Sequence, residues 1–405
     1  MSSVVLAIGL FVFAAYLFKA IFDRTGIPDV LLLMTCGLML GPVLGWVVPA
    51  QFGDTGRVLS TLALVVILFE SGVDLDLASV KSALGVTLAL TLTTFAVTAL
   101  VVTGVGALAG GLDWLAALTL GAILAGTSSA VVIPLVKSLG VEGRTRSVLV
   151  LESALTDVLC IVAVFLFLNA ARAGAVTPGH VTWVLIETLM FAAAIGFAAG
   201  GAWLMILRRM RRLRHGTYSS VGMCFILYGA TEAAGFSGAI AAISFGVMLA
   251  NGRRIVAALG WVRPGRFAAF SSREHGFLME IIFVLKTFFF VYLGISMQLD
   301  NIAALLMGGA IVVMVYAARH VLAAWLCARD IPASEVALTA AMVPKGLAAA
   351  VLAGLPVQYG MAGGDLIQAI AYAVVLLSIL ATALLIALQR TRAGQSMYAV
   401  LLRRP

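Results

Sequence analysis

Apolar residues run through this chain in blocks of about 15–28 residues, separated by short polar or charged turns. A helix needs about 20 apolar residues to cross a bilayer, so the pattern predicts a bundle of membrane-spanning helices rather than a soluble core. Thirteen blocks can be marked, at roughly 3–22, 28–48, 57–73, 82–109, 114–138, 146–170, 181–207, 217–233, 237–250, 274–297, 302–328, 333–356 and 364–388. The 237–250 block is short for a full crossing. The turns between blocks are too tight for a soluble domain. Met1-Ser2-Ser3 lacks a basic leader, so the first block reads as a retained helix. The short basic tail from Gln389 to Pro405 is expected to carry no nucleotide-binding regulatory domain.

Composition sharpens this picture. Of 405 residues, 62% are hydrophobic and 11% charged, which excludes an ordinary soluble domain. The net charge of +8 is explained by its placement. Lys19, Arg24, Lys81, Lys137, Arg144, Arg146, the cluster Arg208 to Arg214, Arg253, Arg254, Arg263, Arg266, Arg273, Arg329 and the tail arginines fall on one set of loops. Only Arg57 and Arg172 fall on the opposite set. Cytoplasmic loops are the basic ones, so the N-terminus is expected outside and the C-terminus inside. An odd number of crossings agrees with that. The surplus charge is therefore topological, and nucleic acid is excluded as a partner. Cys36, Cys160, Cys224 and Cys327 lie in apolar blocks without ligand spacing, and read as small buried residues.

Three bases, Lys286, Arg319 and Lys345, lie inside apolar blocks together with Glu70, Glu152, Asp157, Glu232 and Glu280. An ionisable group at the bilayer centre costs about 2.5–3.5 kcal/mol even on insertion scales, so such residues face a cavity or a partner. The stretch Leu151-Glu152-Ser153-Ala154-Leu155-Thr156-Asp157-Val158 holds two of them. At about 100° per residue Ser153 and Asp157 share a helix face, whereas Glu152 lies roughly 140° from Asp157. One acid can face an ion site while the other points into the protein; the plainer alternative pairs both with buried bases. Lys286 is either a counter-charge to Glu280 or a third basic member of a site. Glu70, at the inner end of its block before Asp74 and Asp76, reads as a solvated helix-end acid or as part of a cation-attracting funnel.

Two blocks look broken. Gly121 to Pro134 brings glycine, the hydroxyls of Thr127, Ser128 and Ser129, and a proline to mid-block; Ala341-Met342-Val343-Pro344-Lys345-Gly346-Leu347 does the same with Pro-Lys-Gly. Such sequences weaken the helical hydrogen-bond ladder and are tolerated only where the freed backbone faces protein or water. Blocks five and twelve are seven apart. This fits an inverted repeat of two six-helix halves, about 3–170 and 217–388, joined by a connector at 181–207, with the breaks crossing at mid-membrane. The expected fold is thus an all-α polytopic membrane protein of about 13 helices in a single transporter domain, followed by the tail at 389–405.

In these features the chain resembles the monovalent cation/proton antiporter superfamily. The resemblance rests on Phe69-Glu70-Ser71-Gly72, the Thr127-Ser128-Ser129-Ala130-Val131-Val132 break, Glu152-Ser153-x-x-Thr156-Asp157, Phe290 to Met297, and Pro344-Lys345-Gly346. It implies a sodium/proton or potassium/proton exchanger, homodimeric, without a cofactor, in the inner membrane of a prokaryote. It also implies that Asp157 carries the transported ion or proton. Its neighbour, Asn or Asp in many relatives, is Thr156 here, which leaves one titratable carboxylate and favours electroneutral exchange. Glu152 is similar to an acid that pairs with a buried arginine, for which Arg319 is the candidate. Where many relatives read Thr-Asp-Pro this chain reads Thr127-Ser128-Ser129, so hydroxyl and carbonyl oxygens replace a second acid. Lys345, where many relatives have arginine, would compensate the half-helix dipoles at the crossing.

Burial favours the protonated form of a carboxylic acid and a nearby cation favours its anion. A lone buried acid therefore holds a proton or a dehydrated monovalent cation, and that competition alone gives exchange. Hard cations take oxygen ligands, and the candidates are Asp157, Ser153, Thr156, Thr127 and Ser128. The bundle holding both breaks would shift against a scaffold containing blocks one and seven to ten. The chief rival is a sodium-coupled symporter of a small organic solute on a related inverted-repeat fold. A channel would show a symmetric filter, and an enzyme would need a nucleophile–base or metal constellation.

Overall fold

The structure is a computed structural model, described over residues 2–75, 86–141, 143–173, 178–210, 219–259, 271–326 and 333–389. Cys327, Lys81, Arg211, Arg212, Arg214, Arg263, Arg266, Arg329 and the tail from 390 lie outside the described residues. All regular structure among the described residues is helical. In order it comprises α1 (Ser2–Thr25), α2 (Asp29–Leu38), α3 (Gly53–Asp74), α4 (Val86–Leu108), α5 (Trp114–Leu124), α6 (Ser129–Ser138), α7 (Gly143–Ala173) and α8 (Pro178–Met210). There follow α9 (Ser219–Ala233), α10 (Gly238–Leu259), α11 (Ser272–Ile295), α12 (Ile302–Leu326), α13 (Ala333–Ala341), α14 (Leu347–Leu352), α15 (Leu355–Gln358) and α16 (Gly364–Gln389). Among the described residues seven stretches are long and apolar enough to cross a membrane: Thr87–Leu108, Trp114–Ser138, Thr145–Arg172, Met190–Leu207, Arg273–Ile295, Ile302–Leu326 and Gly364–Gln389.

Local chemistry sets the helix limits. The Asp113 side chain accepts the Ala116 N–H at 3.2 Å and so starts α5. Glu232, at the end of α9, accepts the Gly238 N–H at 2.8 Å and closes the turn into α10. The block at 237–250, short by hydropathy, belongs to a 22-residue helix, because Asn251, Gly252, Arg253 and Arg254 continue α10 with polar residues.

The helices form two compact units, one from residues 57–82 and 165–286, the other from 1–56, 83–164 and 287–405. In the former, α8 lies along α10, and the indole of Trp203 donates to the Ser220 hydroxyl on α9 at 3.0 Å. Helices α3 and α10 meet backbone to backbone: a Cβ on Gly246 would stand 2.9 Å from the Val73 nitrogen, and one on Gly72 would be 3.0 Å from the Gly246 Cα. The Asn251 amide donates to the Leu75 carbonyl at 2.7 Å, satisfying an end carbonyl of α3.

In the other unit α4 packs on α5 and α12, and α12 packs on α13 and α16. The buried Arg319 of α12 holds four elements together. Its guanidinium makes two parallel bonds to the Glu152 carboxylate on α7, at 2.5 and 2.6 Å. It also donates to the Thr94 hydroxyl on α4 at 2.7 Å and to the Thr339 carbonyl on α13 at 3.2 Å. Arg319 and Glu152 are each 1% exposed. Leu90, Val148, Ala323, Val336 and Ala340 form an apolar layer between the same four helices. The Thr145 hydroxyl donates to Glu335, tying the start of α7 to that of α13.

Both breaks occur in this unit. Helix α5 stops at Leu124 and α6 starts at Ser129; α13 stops at Ala341 and α14 starts at Leu347. The two unwound stretches touch. The Ser128 N–H donates to the Pro344 carbonyl at 2.8 Å, and the Lys345 N–H donates to the Ser378 hydroxyl of α16 at 2.9 Å. Position 346 has no room for a side chain, because a Cβ there would overlap the Ser128 hydroxyl and come 3.5 Å from the Ser128 Cα.

Removing one member of the Arg319–Glu152 pair strands the other charge at a cost of about 3–5 kcal/mol. Glu152→Ala and Arg319→Ala should each lower the yield of monodisperse protein in size-exclusion chromatography, and the double variant should regain part of it. Full yield from either single variant would contradict a structural role. Gly346→Ala overpacks the crossing, an insertion that typically costs about 1–3 kcal/mol. A thermal melt of the purified variant should show a lower Tm; an unchanged Tm would mean the two breaks do not hold each other.

Candidate functional site

Helix α7 sends its two acids to different partners, as their angular separation demands. Glu152 meets Arg319. Asp157, five residues later and 6% exposed, meets the break between α5 and α6. One Asp157 carboxylate oxygen, Oδ2, accepts the Ser129 hydroxyl at 2.8 Å, and the Ser129 main-chain N–H faces the carboxylate as well. Ser129 is the first residue of α6. The acid thus sits at a helix N-terminus, where unsatisfied N–H groups and the dipole favour negative charge.

Thr156 points into the same break. Its hydroxyl oxygen accepts the Thr127 N–H at 3.1 Å and lies 3.3 Å from the Thr127 hydroxyl. It also donates to the Ser153 carbonyl at 3.1 Å. Thr127 and Thr156 therefore satisfy backbone that the break releases, and engage each other. Ser153 lies one turn before Asp157, but its hydroxyl donates to the Val150 carbonyl of its own helix at 3.0 Å. The Ser128 hydroxyl lies against Gly346.

Lys345 reaches across from the second break. Its ammonium, on a residue 1% exposed, donates to the Gly126 carbonyl at 2.8 Å, just past the C-terminal end of α5. A cation is favourable there because the last carbonyls of a helix have no intrahelical donor. Among the described residues Lys345 makes no ion pair. The Cys160 sulfur packs on the same glycine.

Two bases and two acids are buried among the described residues of this unit, and their partners are unequal. Arg319 is taken up by Glu152, and Lys345 by a peptide carbonyl; Asp157 has a hydroxyl donor and no guanidinium or ammonium within ion-pair distance among the described residues. Glu70, Glu280 and Lys286 belong to the other unit. His320 is half-buried on α12, its ring nitrogen Nδ1 2.7 Å from the Tyr316 carbonyl of its own helix. Among the described residues no three His, Cys, Asp or Glu side chains converge as a metal site.

Three contributors were not singled out from the sequence as site residues. Ser129 is the hydroxyl that addresses Asp157. Nothing in the sequence distinguished it from Ser128, because only the start of α6 decides which hydroxyl meets the acid. Thr94 shares a face of α4 with Thr87, Thr91 and Thr98, all buried, and that spacing of hydroxyls on an apolar helix marks a polar partner across the interface. Ser378 carried no such pattern.

Residues 9–388 match the family model described as sodium/hydrogen exchanger, transmembrane. The chain is similar to the K(+)/H(+) antiporter NhaP2 of Shewanella baltica (strain OS223), 26% identical over 371 residues that make up 88% of this chain and 61% of that one. It is also similar to the Na(+)/H(+)-K(+) antiporter GerN of Bacillus cereus, 24% identical over 364 residues, 87% of this chain and 88% of that one. The chain spans about half the length of the NhaP2 relatives it matches. Among solved structures, the sodium proton antiporter MjNhaP1 from Methanocaldococcus jannaschii superposes with a TM-score of 0.72 at 19% identity, over 94% of this chain and 99% of that one. At that identity the likeness is one of fold. With helices apolar enough to cross a membrane, and a family match that runs through nearly all of them, this multi-pass membrane chain belongs to the sodium/hydrogen exchanger family, a family of transporters and not of enzymes.

Proposed function

We propose that this chain is a secondary active antiporter that exchanges a monovalent cation, Na+ or K+, for protons by competition at Asp157. The observation that carries the reading is the isolation of that carboxylate: it is buried, lies at a helix N-terminus and bonds to a hydroxyl, while the two buried bases of its unit are engaged elsewhere. A carboxylate sealed against a guanidinium could not exchange ligands. This one can take a proton or a cation in turn, and each loading neutralises the charge that would otherwise oppose movement through an apolar interior. The names of the relatives, K(+)/H(+) antiporter and Na(+)/H(+)-K(+) antiporter, support the same substrate class.

Each group then has a role. Asp157 binds the ion, and Ser153, Thr156, Thr127 and Ser128 supply oxygens or hold the broken backbone that does. Lys345 donates to the Gly126 carbonyl and offsets the carbonyl end of α5. Glu152 and Arg319 fix α7 against α4, α12 and α13, and so fix where Asp157 stands. One titrating carboxylate beside the neutral Thr156 makes the exchange one for one and electroneutral. The full architecture is read as thirteen crossings in one transporter domain, two inverted six-helix repeats joined by α8, working as a homodimer in the inner membrane with the C-terminus in the cytoplasm. The basic loops and the matched breaks support this.

Purified protein in liposomes should dissipate a proton gradient, read by dye quenching, when Na+ or K+ is added. The rate should not change when valinomycin with K+ clamps the voltage. Asp157→Asn should fall to the level of empty liposomes while eluting as a folded protein. Persistent exchange in that variant would overturn the assignment, and a voltage-dependent rate in the native chain would overturn the stoichiometry.

A further inference from the structure

The hydroxyls around the unwound stretch of α5 and α6 are not equivalent. Those of Thr127 and Thr156 engage each other and the Thr127 N–H. The Ser153 hydroxyl is spent on the Val150 carbonyl, and that of Ser128 lies against Gly346. Ser129 alone among them bonds Asp157, at 2.8 Å. It also differs in access: Thr127, Ser128, Ser153 and Thr156 are buried, whereas Ser129 is partly exposed.

We infer that Ser129 is the second ligand of the site and sets how strongly a cation competes with the proton there. The inference rests on the exchange reading above. A hydroxyl has one hydrogen and two acceptor lone pairs. With Asp157 ionised, the Ser129 O–H donates to Oδ2 across the 2.8 Å contact. When the acid is protonated, the hydroxyl rotates and accepts the carboxyl O–H. When a cation is bound, the hydroxyl oxygen and the carboxylate both face it, and the ion stays in an all-oxygen shell suited to a hard cation. Ser129 follows every loading without changing its own charge. The other ionisable groups near Asp157 are Cys160 on its own helix and Lys345 at the second break, with Glu152 and Arg319 beyond them. None of these presents a neutral oxygen to a cation beside the carboxylate.

The sign of the pH effect follows. A donor bonded to the carboxylate favours its ionised form, so removing that donor leaves the proton bound to higher pH. Ser129→Ala in liposomes should still exchange, with its half-maximal pH moved by about one unit to the alkaline side and its apparent KM for the cation raised about tenfold, the effect of one hydrogen bond to a charged group. Ser129→Thr, which keeps the hydroxyl, should restore both parameters. As a second readout, Na+ or K+ should raise the Tm of detergent-purified native protein, and should do so only at about tenfold higher concentration in Ser129→Ala. If Ser129→Ala folds poorly, Ser129→Cys carries the same test and the same direction. A native pH profile and KM in the alanine or cysteine variant would overturn the inference and leave the exchange reading intact. So would a threonine variant as impaired as the alanine one. Loss of the exchange reading has a separate signature, native protein without exchange or Asp157→Asn still active.

Discussion

Peptide groups that leave a helix in an apolar interior need partners, and that requirement organises the centre of this protein. The gap between α5 and α6 frees carbonyls on one side and N–H groups on the other. Each described partner comes from elsewhere in the chain. The Gly126 carbonyl takes the Lys345 ammonium, the Thr127 N–H takes the Thr156 hydroxyl, and the Ser128 N–H takes the Pro344 carbonyl. The second break leaves the Lys345 N–H to Ser378. An unsatisfied buried peptide group costs about 1–3 kcal/mol, so these bonds are the condition under which a broken helix can persist at all. Once it persists, the start of α6 becomes a place where a carboxylate is welcome.

The two acids of α7 show how one helix serves rigidity and exchange together. Glu152 has its charge and both oxygens engaged by Arg319, whose remaining donors reach α4 and α13. A buried ion pair of this quality does little for net stability, since desolvation cancels most of the attraction, but it permits few geometries. Five residues on, Asp157 bonds the Ser129 hydroxyl, which can reverse its role, beside the Ser129 main-chain N–H. The fixed pair positions the adaptable one.

Much of this was legible in the sequence because membrane interiors penalise charge. The apolar blocks located the helices. Of the charged residues that violated them, Glu152, Asp157, Arg319 and Lys345 lie together in one unit, whereas Glu70, Glu232, Glu280 and Lys286 belong to the other. The breaks were visible as Gly-Thr-Ser-Ser and Pro-Lys-Gly. Hydroxyl directions were not legible. Ser153 shares a helix face with Asp157, yet its rotamer sends the hydroxyl to its own backbone, an option serine always has inside a helix. Ser129 sits next to Ser128 in the sequence, and only the point where α6 begins decides which of them meets the acid. The length of α10 was also hidden, because Asn251-Gly252-Arg253-Arg254 interrupts its apolar run and hydropathy reports apolar helix alone.

The partners at this centre lie far apart along the chain, and synthesis is sequential. Glu152 and Arg319 are separated by 167 residues, and Gly126 and Lys345 by 219. At roughly 5–20 residues per second, an acid already delivered to the bilayer waits on the order of 10–30 s for its guanidinium to be made. During that interval α7 carries an uncompensated carboxylate, and the first break has no ammonium to close it. Biogenesis of such a chain therefore needs a holding environment at the insertion machinery, so the same charges that organise the finished protein make its nascent first half a client for quality control.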